Sequence, residues 1–405
     1  LSDANRDTKL DPHTEAVSAG RSGDWAKHIV NPPIYRGSTH LHADCAALEE
    51  AKRHNRDGQF FYGRRGSPTQ WALADALTRL EPGAFGTVLY PSGVAAISNA
   101  LMSVLSPGDV LLVTDNAYDP SRGMATGLFK RYGIETRFFD PLDLDGFADR
   151  FCENTRAVLL EVPGSLTMEI CDIPALAKIT RDKGAVSLID NTWATPLGFP
   201  ALSHGCDITI MSLTKHVGGH SDLLMGSVSA ANERHYRRLR LTAQQLGQHV
   251  SPDDAALALR GLRTMPLRLE RTAETALAVA RWLSKREEVA HVLCPMLPGS
   301  QGHELWKRDF SGGCGLFSFV LKGRSDAHRA ALIDTLDLFG IGFSWGGYES
   351  LALPFDPVGM RTATPWPPAG CNEADKLGIR LAIGLEDPAD LIADLERGFA
   401  AMEQV

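Results

Sequence analysis

Three short stretches of the chain carry residue types that can do chemistry together. The densest is Ser212-Leu213-Thr214-Lys215-His216, directly after the strand-like run DITIMS (207–212). A lysine at a strand end, between hydroxyl residues and a Gly218-Gly219 turn, can act through its amine if it is held partly dehydrated. A solvated surface lysine is the other reading of the same spacing. The second stretch, Asp190-Asn191-Thr192-Trp193, closes the run AVSLID (185–190). An acid there serves as a cap or turn former, or it faces a positive charge on a ligand. In open α/β sheets ligands sit at the carboxyl ends of strands, and Asp190 and Lys215 both fall at such ends. The third stretch, Pro91-Ser92-Gly93-Val94-Ala95, follows GTVLY (86–90) and opens a small-residue helix. Backbone N–H groups at a helix start bind phosphate, and a glycine lets the anion approach closely. A plain helix cap at Ser92 is the alternative.

An amine, a strand-end acid and a phosphate cradle are what pyridoxal phosphate requires. The lysine forms a Schiff base, and the acid keeps the pyridine nitrogen protonated so that the ring works as an electron sink. Ser212 and Thr214 can add hydroxyl donors to the cradle. Tyr118, in Asn116-Ala117-Tyr118, follows another strand end and can stack on a flat cofactor or pack as a core tyrosine. Other motifs are discounted. His216 and His220 have the i, i+4 spacing of metal ligands, but Gly218-Gly219 between them disfavours a helix, so no metal is expected. Gly312-Gly313-Cys314-Gly315 precedes a strand rather than opening a helix, and no GxSxG elbow is present.

These residues must be positioned by the elements around them. From about residue 66 to 230, β-rich runs alternate with helical patterns: GTVLY, DVLLVT (109–114), ETRFFD (135–140), RAVLLEV (156–162), AVSLID and DITIMS. Between two of them lies PALAKITRDK (174–183), with Asp172 as N-cap and Gly184 as stop. Such alternation predicts an α/β fold with a mostly parallel sheet covered by helices on both faces. Residues 1 to about 60 read as an arm with a turn at Asn31-Pro32-Pro33 and one helix around Cys45–His54. The stretch 253–288 has Leu257, Leu259, Leu262, Leu267 and Leu269 at amphipathic-helix spacing. GLFSFVL (315–321), a helix around 326–339, a Pro-rich loop at 353–368, GIRLAIGLED (378–387) and a closing helix at 388–402 read as a smaller C-terminal α/β domain. The expected division is an N-terminal arm 1–65, a cofactor-binding domain 66–255 and a C-terminal domain 256–405.

Composition fits a globular protein of 405 residues, 44% hydrophobic and 22% charged. A formal net charge of −8 argues against nucleic acid or anionic membrane as the main partner. No apolar run is long enough to span a bilayer, and the polar N-terminus LSDANRDTKLDPHTEA lacks a signal-peptide core. Seven cysteines without a CxxC pair fit a reduced compartment, so a cytoplasmic location is expected.

The sequence resembles the Cys/Met-metabolism family of pyridoxal-phosphate enzymes, and within it the bacterial cystathionine β-lyases. The resemblance runs from Ala16-Val17-Ser18-Ala19-Gly20-Arg21 to the final helix. Its landmarks include Phe61-Tyr62-Gly63-Arg64-Arg65-Gly66, Pro91-Ser92-Gly93, Asn116-Ala117-Tyr118, Asp190-Asn191-Thr192-Trp193 and Thr214-Lys215. To these are added Gly219-His220-Ser221-Asp222, Ser344-Trp345-Gly346-Gly347-Tyr348-Glu349-Ser350 and Ile379-Arg380-Leu381-Ala382-Ile383-Gly384. The resemblance implies an aspartate-aminotransferase-like fold (fold type I). It implies that Lys215 holds the cofactor, Asp190 pairs with the pyridine nitrogen and Tyr118 stacks on the ring, these three being the catalytic set. Ser92, Gly93, Val94, Ser212 and Thr214 are then the phosphate site within the subunit. Tyr62 and Arg64 reach the phosphate from a neighbouring subunit, in a homotetramer built as a dimer of dimers with shared active sites. Arg380 grips the substrate carboxylate as a bidentate fork, beside Ser344 and Trp345.

The implied reaction is β-elimination from an amino-acid thioether, cystathionine giving homocysteine, pyruvate and ammonia. Ser344-Trp345-Gly346-Gly347, Pro163-Gly164-Ser165 and Trp306-Lys307-Arg308-Asp309 resemble β-lyases; γ-acting relatives typically carry a leucine in place of the tryptophan. Two features depart from the pattern: Leu257, where some bacterial β-lyases have a tyrosine, and the unfamiliar loop 353–368. The rivals are a γ-acting relative (γ-lyase, γ-synthase or homoserine sulfhydrylase) and a non-catalytic cofactor-binding regulator.

Overall fold

The computed structural model describes residues 10–21, 28–53, 58–356, 358, 361–364, 366, 372 and 375–405. His54 and part of the 353–368 loop therefore lie outside the described residues, as does Cys371. Seven strands form the larger sheet: β1 (Gly86–Tyr90), β2 (Val110–Thr114), β3 (Glu135–Phe139), β4 (Thr155–Glu161), β5 (Val186–Asp190), β6 (Ile208–Ser212) and β7 (Gly226–Ala230). Their order is β1-β7-β6-β5-β4-β2-β3. Strands β6, β5, β4, β2 and β3 run parallel, and β7 is antiparallel to both β6 and β1. The carboxyl ends of β1, β2, β4, β5 and β6 thus share one edge, which brings Ser92, Tyr118, Asp190 and Lys215 together.

Alternation along the strands divides the core between the two faces of this sheet. Leu111, Val113, Leu159, Ile208 and Ile210 pack on one face with Ala96, Ile97 and Leu101 of helix Gly93–Met102. Leu112, Val158, Leu160, Ile189 and Met211 face the other side, against Leu73, Leu77, Leu176 and Leu262. That second cluster continues into a five-stranded sheet of β8 (Val289–Leu293), β9 (Leu316–Leu321), β10 (Gly340–Ile341), β11 (Leu351–Phe355) and β12 (Leu377–Ala382). Its order is β10-β11-β12-β9-β8. Each fully buried leucine or isoleucine stabilises the fold by roughly 1.5–3 kcal/mol, so the smaller sheet is seated firmly against the larger one.

The structure departs from the sequence expectations in several places. The loop expected at 353–368 begins too early, because Leu353-Pro354-Phe355 complete β11 and pair with Arg380, Ile379 and Gly378. The proline is tolerated because β10 pairs only with Leu351 and Ala352, leaving Pro354 at an open edge. Strand β7, GSVSA, was not anticipated: its small and hydroxyl residues give no apolar alternation, and Ser229 instead bonds Thr87 at 2.7 Å. The arm has an additional helix, Pro12–Ser18, signalled by an Asp11 cap and proline at its start. The helix expected over 326–339 stops at Asp334, because the amides of Asp337 and Leu338 turn to the buried Asp394 carboxylate at 3.0 and 2.8 Å.

One buried acid makes the fold sensitive to pH. Glu81 follows helix Pro68–Leu80 and is 1% exposed. One of its oxygens accepts the Leu202 amide at 3.3 Å and the other has no partner. Burial pushes its carboxyl from 4.5 up to about 8. The folded chain keeps a proton that the unfolded chain has released, so this stabilisation is fully present below pH 4.5 and lost as pH rises towards about 8. Glu81→Gln should remove that slope, about 1.4 kcal/mol per pH unit. Urea unfolding of both proteins across this range should show their stability difference growing with pH; a constant difference would mean that Glu81 is ionised in the fold.

Candidate active site

A cavity of about 230 Å³ opens at the carboxyl edge of the larger sheet, closed on one side by the smaller one. Ser92, Gly93, Val94, Tyr118, Asp190, Ser212, Thr214 and Lys215 line it from the first sheet, and Ser344, Trp345 and Arg380 from the second. Eleven of the thirteen residues expected from the sequence therefore share one cavity. The other two, Tyr62 and Arg64, do not line it. Arg64 instead donates to the Gln244 carbonyl at 2.8 Å, and Tyr62 is 45% exposed beside its bridge to Thr39.

Lys215 is placed by the turn that follows β6. Its Nζ donates to Ser344 Oγ at 2.6 Å and lies 5.3 Å from the centre of the Trp345 ring. Burial, then the nearby Arg380 guanidinium, lower its pKa from 10.5 to about 8, against the attraction of Asp190. An amine in this state is a usable base near neutral pH. Asp190 ends β5, and its Oδ1 accepts both the amide and the hydroxyl of Thr192. Burial pushes its carboxyl up, while those two bonds and Lys215 oppose the shift.

Glu161, at the end of β4, stands directly across from Asp190 in the strand register. Its Oε2 accepts the Tyr118 amide at 2.6 Å, and it lines the cavity. Burial and the neighbouring Asp190 push its carboxyl well above the usual range. Two close buried carboxylates cannot both ionise cheaply, and burial together with Asp190 disfavours the charged form of Glu161. Sequence reading had included Glu161 in the run RAVLLEV without singling it out. Its signal was available: an acid at the end of the strand next to the one that ends in Asp190.

The expected phosphate cradle is built by close packing. Ser92 caps helix Gly93–Met102 by accepting the Ala95 amide at 3.1 Å. The amides of Gly93 and Val94 then have no acceptor within the helix. A Cβ at Gly93 would lie 2.8 Å from Ser212 Oγ, so only glycine fits there. Ser212 donates its amide to Thr192 Oγ1 at 2.9 Å, which links the cradle to the Asp190 turn. Thr214 exchanges hydrogen bonds with the Met225 backbone at 3.0 and 3.2 Å. Tyr118, 41% exposed, forms the opposite wall.

Arg380 comes from β12. It donates Nη2 to the Ser344 carbonyl at 2.9 Å, while its buried Nε has no partner. Burial lowers its pKa to about 10, and it remains a cation. Ser344 holds both Lys215 and Arg380 from a left-handed backbone, φ 85°. Trp345 packs against the buried ring of His216, with centroids 5.2 Å apart. Leu257 does not line the cavity and is 37% exposed on helix Pro252–Leu262. Among the described residues no three His, Cys, Asp or Glu side chains group as metal ligands. A desolvated amine, a strand-end acid, free helix amides under a glycine and an arginine with an orphaned donor fit pyridoxal phosphate and an amino-acid carboxylate.

Comparisons with known proteins agree with this chemistry. Residues 13–400 match the family described as Cys/Met metabolism PLP-dependent enzymes, and the chain belongs to that family. It is 43% identical to a cystathionine beta-lyase of Escherichia coli (strain K12), over 97% of this chain and 99% of that protein. Identity to a cystathionine beta-lyase of Salmonella typhimurium is 41%, covering 99% of each chain. Among solved structures it is similar to a cystathionine gamma synthase from Xanthomonas oryzae pv. oryzae in complex with aminoacrylate and cysteine. That similarity has a TM-score of 0.88 at 33% identity, covering 98% of this chain and 100% of the other. The protein is a pyridoxal-phosphate enzyme with the fold of that family.

Arg380→Lys should keep the visible absorbance of bound cofactor and lose most substrate affinity. Losing a charge-assisted bidentate contact to a buried partner charge costs on the order of 2–5 kcal/mol, and a lysine keeps the charge without the fork. Steady-state kinetics beside the absorption spectrum decides it, and a catalytic efficiency within a few-fold of wild type would remove Arg380 as the carboxylate anchor.

Proposed function

We propose that the chain is a carbon–sulfur β-lyase that converts cystathionine to homocysteine, pyruvate and ammonia, a step in methionine biosynthesis. The observation that carries this reading is Trp345 beside the Lys215 amine, 5.3 Å from ring centre to Nζ, within a small cavity. The cystathionine beta-lyases at 41–43% identity support it. A γ-acting enzyme must also move a proton at Cβ. A bulky indole beside the lysine restricts that further reach, whereas β-elimination needs proton removal at Cα alone. The solved gamma synthase at 33% identity shares the fold, and fold alone does not decide between the two reactions.

Pyridoxal phosphate, when bound, supplies an electrophilic carbon for the substrate amine and a ring that accepts the electron pair released at Cα. Lys215 would hold it, with Asp190 at the pyridine nitrogen, Tyr118 on the ring face, and Ser92, Gly93, Val94, Ser212 and Thr214 at the phosphate. Arg380 fixes the substrate carboxylate and so orients the Cα–H bond. The Lys215 amine, lowered to about 8, takes the Cα proton as general base. Trp345 and Tyr118 exclude water on either side. The sulfur leaves as a thiol of ordinary pKa, roughly 8.5, so no strong acid catalyst is demanded.

The finer readings have separate support. Arg64 and Tyr62 lie outside their own subunit's cavity, which supports delivery to a partner's phosphate in a homotetramer of shared-site dimers. Six described cysteines are free thiols, which supports a reduced, cytoplasmic site of action; among the described residues no helix is long and apolar enough to cross a membrane. The division into arm 1–65, cofactor domain 66–255 and C-terminal domain 256–405 is supported by the larger sheet lying within the second segment and the smaller within the third, although helix Pro252–Leu262 crosses the boundary between them.

Product identity tests the reaction: pyruvate from cystathionine is expected, and 2-oxobutyrate would make the enzyme a γ-lyase. The shared site is tested by co-expressing Lys215→Ala with Arg64→Ala, each poorly active alone. Half of randomly paired dimers are mixed and each has one whole site, so pyruvate formation should recover to roughly a quarter of wild type. Mixed dimers no more active than the separate variants would show that Arg64 serves its own subunit.

A further inference from the structure

The cavity wall Gly164–Met168 is held in a conformation that its own residues resist. Leu166 and Met168 have left-handed backbones, φ 68° and 59°, where side-chain-bearing residues are disfavoured. Gly164, Ser165, Leu166 and Met168 nevertheless face the same cavity as Lys215, Tyr118 and Arg380. Backbone bonds fold the turn on itself, Gly164 to Glu169 at 2.9 Å and Met168 to Gly164 at 2.9 Å. Ser165 ties it to the Asn116 carbonyl at 2.8 Å, two residues before Tyr118. Glu169 packs directly beneath: a Cβ at Gly164 would lie 2.4 Å from its Oε2. That oxygen accepts the Thr167 hydroxyl at 2.7 Å.

The other Glu169 oxygen meets a cation from the smaller domain. Arg361 Nη2 donates to Glu169 Oε1 at 2.8 Å and also reaches Thr167 Oγ1. Its side chain is 7% exposed. Arg361 is anchored by the residues after it: the amides of Thr362, Ala363 and Thr364 all donate to the Asp115 carboxylate, at 3.0, 2.8 and 2.8 Å. Asp115, 1% exposed, is also paired with Arg122 at 2.9 Å and stands three residues before Tyr118. A segment beyond β11 is thus bolted to the end of β2, and Arg361 extends from it under the wall.

We infer that Arg361, which does not line the cavity, is a positioning residue that sets the shape of the cavity wall Gly164–Met168 through Glu169 and Thr167. It acts on how the substrate is seated, since the wall does not include the phosphate cradle or Asp190. The inference rests on the β-lyase reading for its choice of substrate.

The test uses the full, cofactor-loaded enzyme. It measures KM and kcat on cystathionine, the midpoint of cofactor titration by visible absorbance, and the thermal midpoint. Arg361→Ala should raise KM roughly ten- to a hundredfold, the scale of a misplaced binding wall, with kcat and the cofactor midpoint nearly unchanged. Arg361→Lys should recover part of the loss, since it keeps the charge without the fork that reaches two acceptors. Arg361→Ala combined with Glu169→Gln should be no worse than Arg361→Ala alone. A KM within about twofold of wild type would overturn the inference. So would KM, cofactor midpoint and thermal midpoint worsening in step, which marks an ordinary fold contact. If Arg361→Ala does not fold, Glu169→Gln is judged by the same KM criterion. Wild-type enzyme that forms no pyruvate from cystathionine refutes the reaction reading by itself, and the wall is then tested on whichever amino acid the wild type consumes.

Discussion

The site depends on keeping one amine poorly solvated beside a second cation. Lys215 and Arg380 approach each other at the edge of the larger sheet, and burial together with that mutual repulsion brings the lysine into a range where it can exchange protons. Neither charge could be placed there by one domain. The first comes from the turn after β6, the second from β12, and the Ser344 hydroxyl and carbonyl hold both. The seating of the smaller sheet against the larger is therefore what assembles the site. The continuous apolar cluster that joins them, from Ile189 and Met211 through Phe317 and Leu381, acts on chemistry as well as stability.

Opposite the two cations stand two acids in strand register. The Thr192 bonds and Lys215 favour the charged form of Asp190 against its burial, while burial and Asp190 disfavour that of Glu161, which fixes the Tyr118 backbone. The pair shows how a parallel sheet sets electrostatics by register alone: adjacent strand ends place side chains on one face at a fixed distance. A positive ring nitrogen beside Asp190 would relieve the remaining repulsion and favour the arrangement further.

Much of this was legible in the sequence because strand-end residues of an open sheet converge wherever the strands are parallel. Lys215, Asp190, Tyr118 and Ser92 were readable from short apolar runs that each ended in a polar residue. Arg380, Ser344 and Trp345 were not readable that way, and only resemblance to a family singled them out. Glu161 escaped notice because nothing in one strand tells which residue of the next it will face. Strand β7 was hidden by Ser227 and Ser229, small buried hydroxyl residues that break the apolar alternation, Ser229 bonding Thr87 within the sheet. The Pro-rich stretch read as plain loop, yet Pro354 lies in β11 and Arg361 reaches across to the other domain. Composition marks irregular backbone and gives no hint of the long-range partner that orders it.

Everything proposed for this site requires that Lys215 be the residue that bonds the cofactor. Treating the cofactor-loaded enzyme with borohydride would make that bond permanent, and peptide mass mapping would then locate the pyridoxyl group. A single labelled peptide carrying the modification on Lys215 is expected. Label on a different lysine, or a fully loaded enzyme that takes up none, would contradict it.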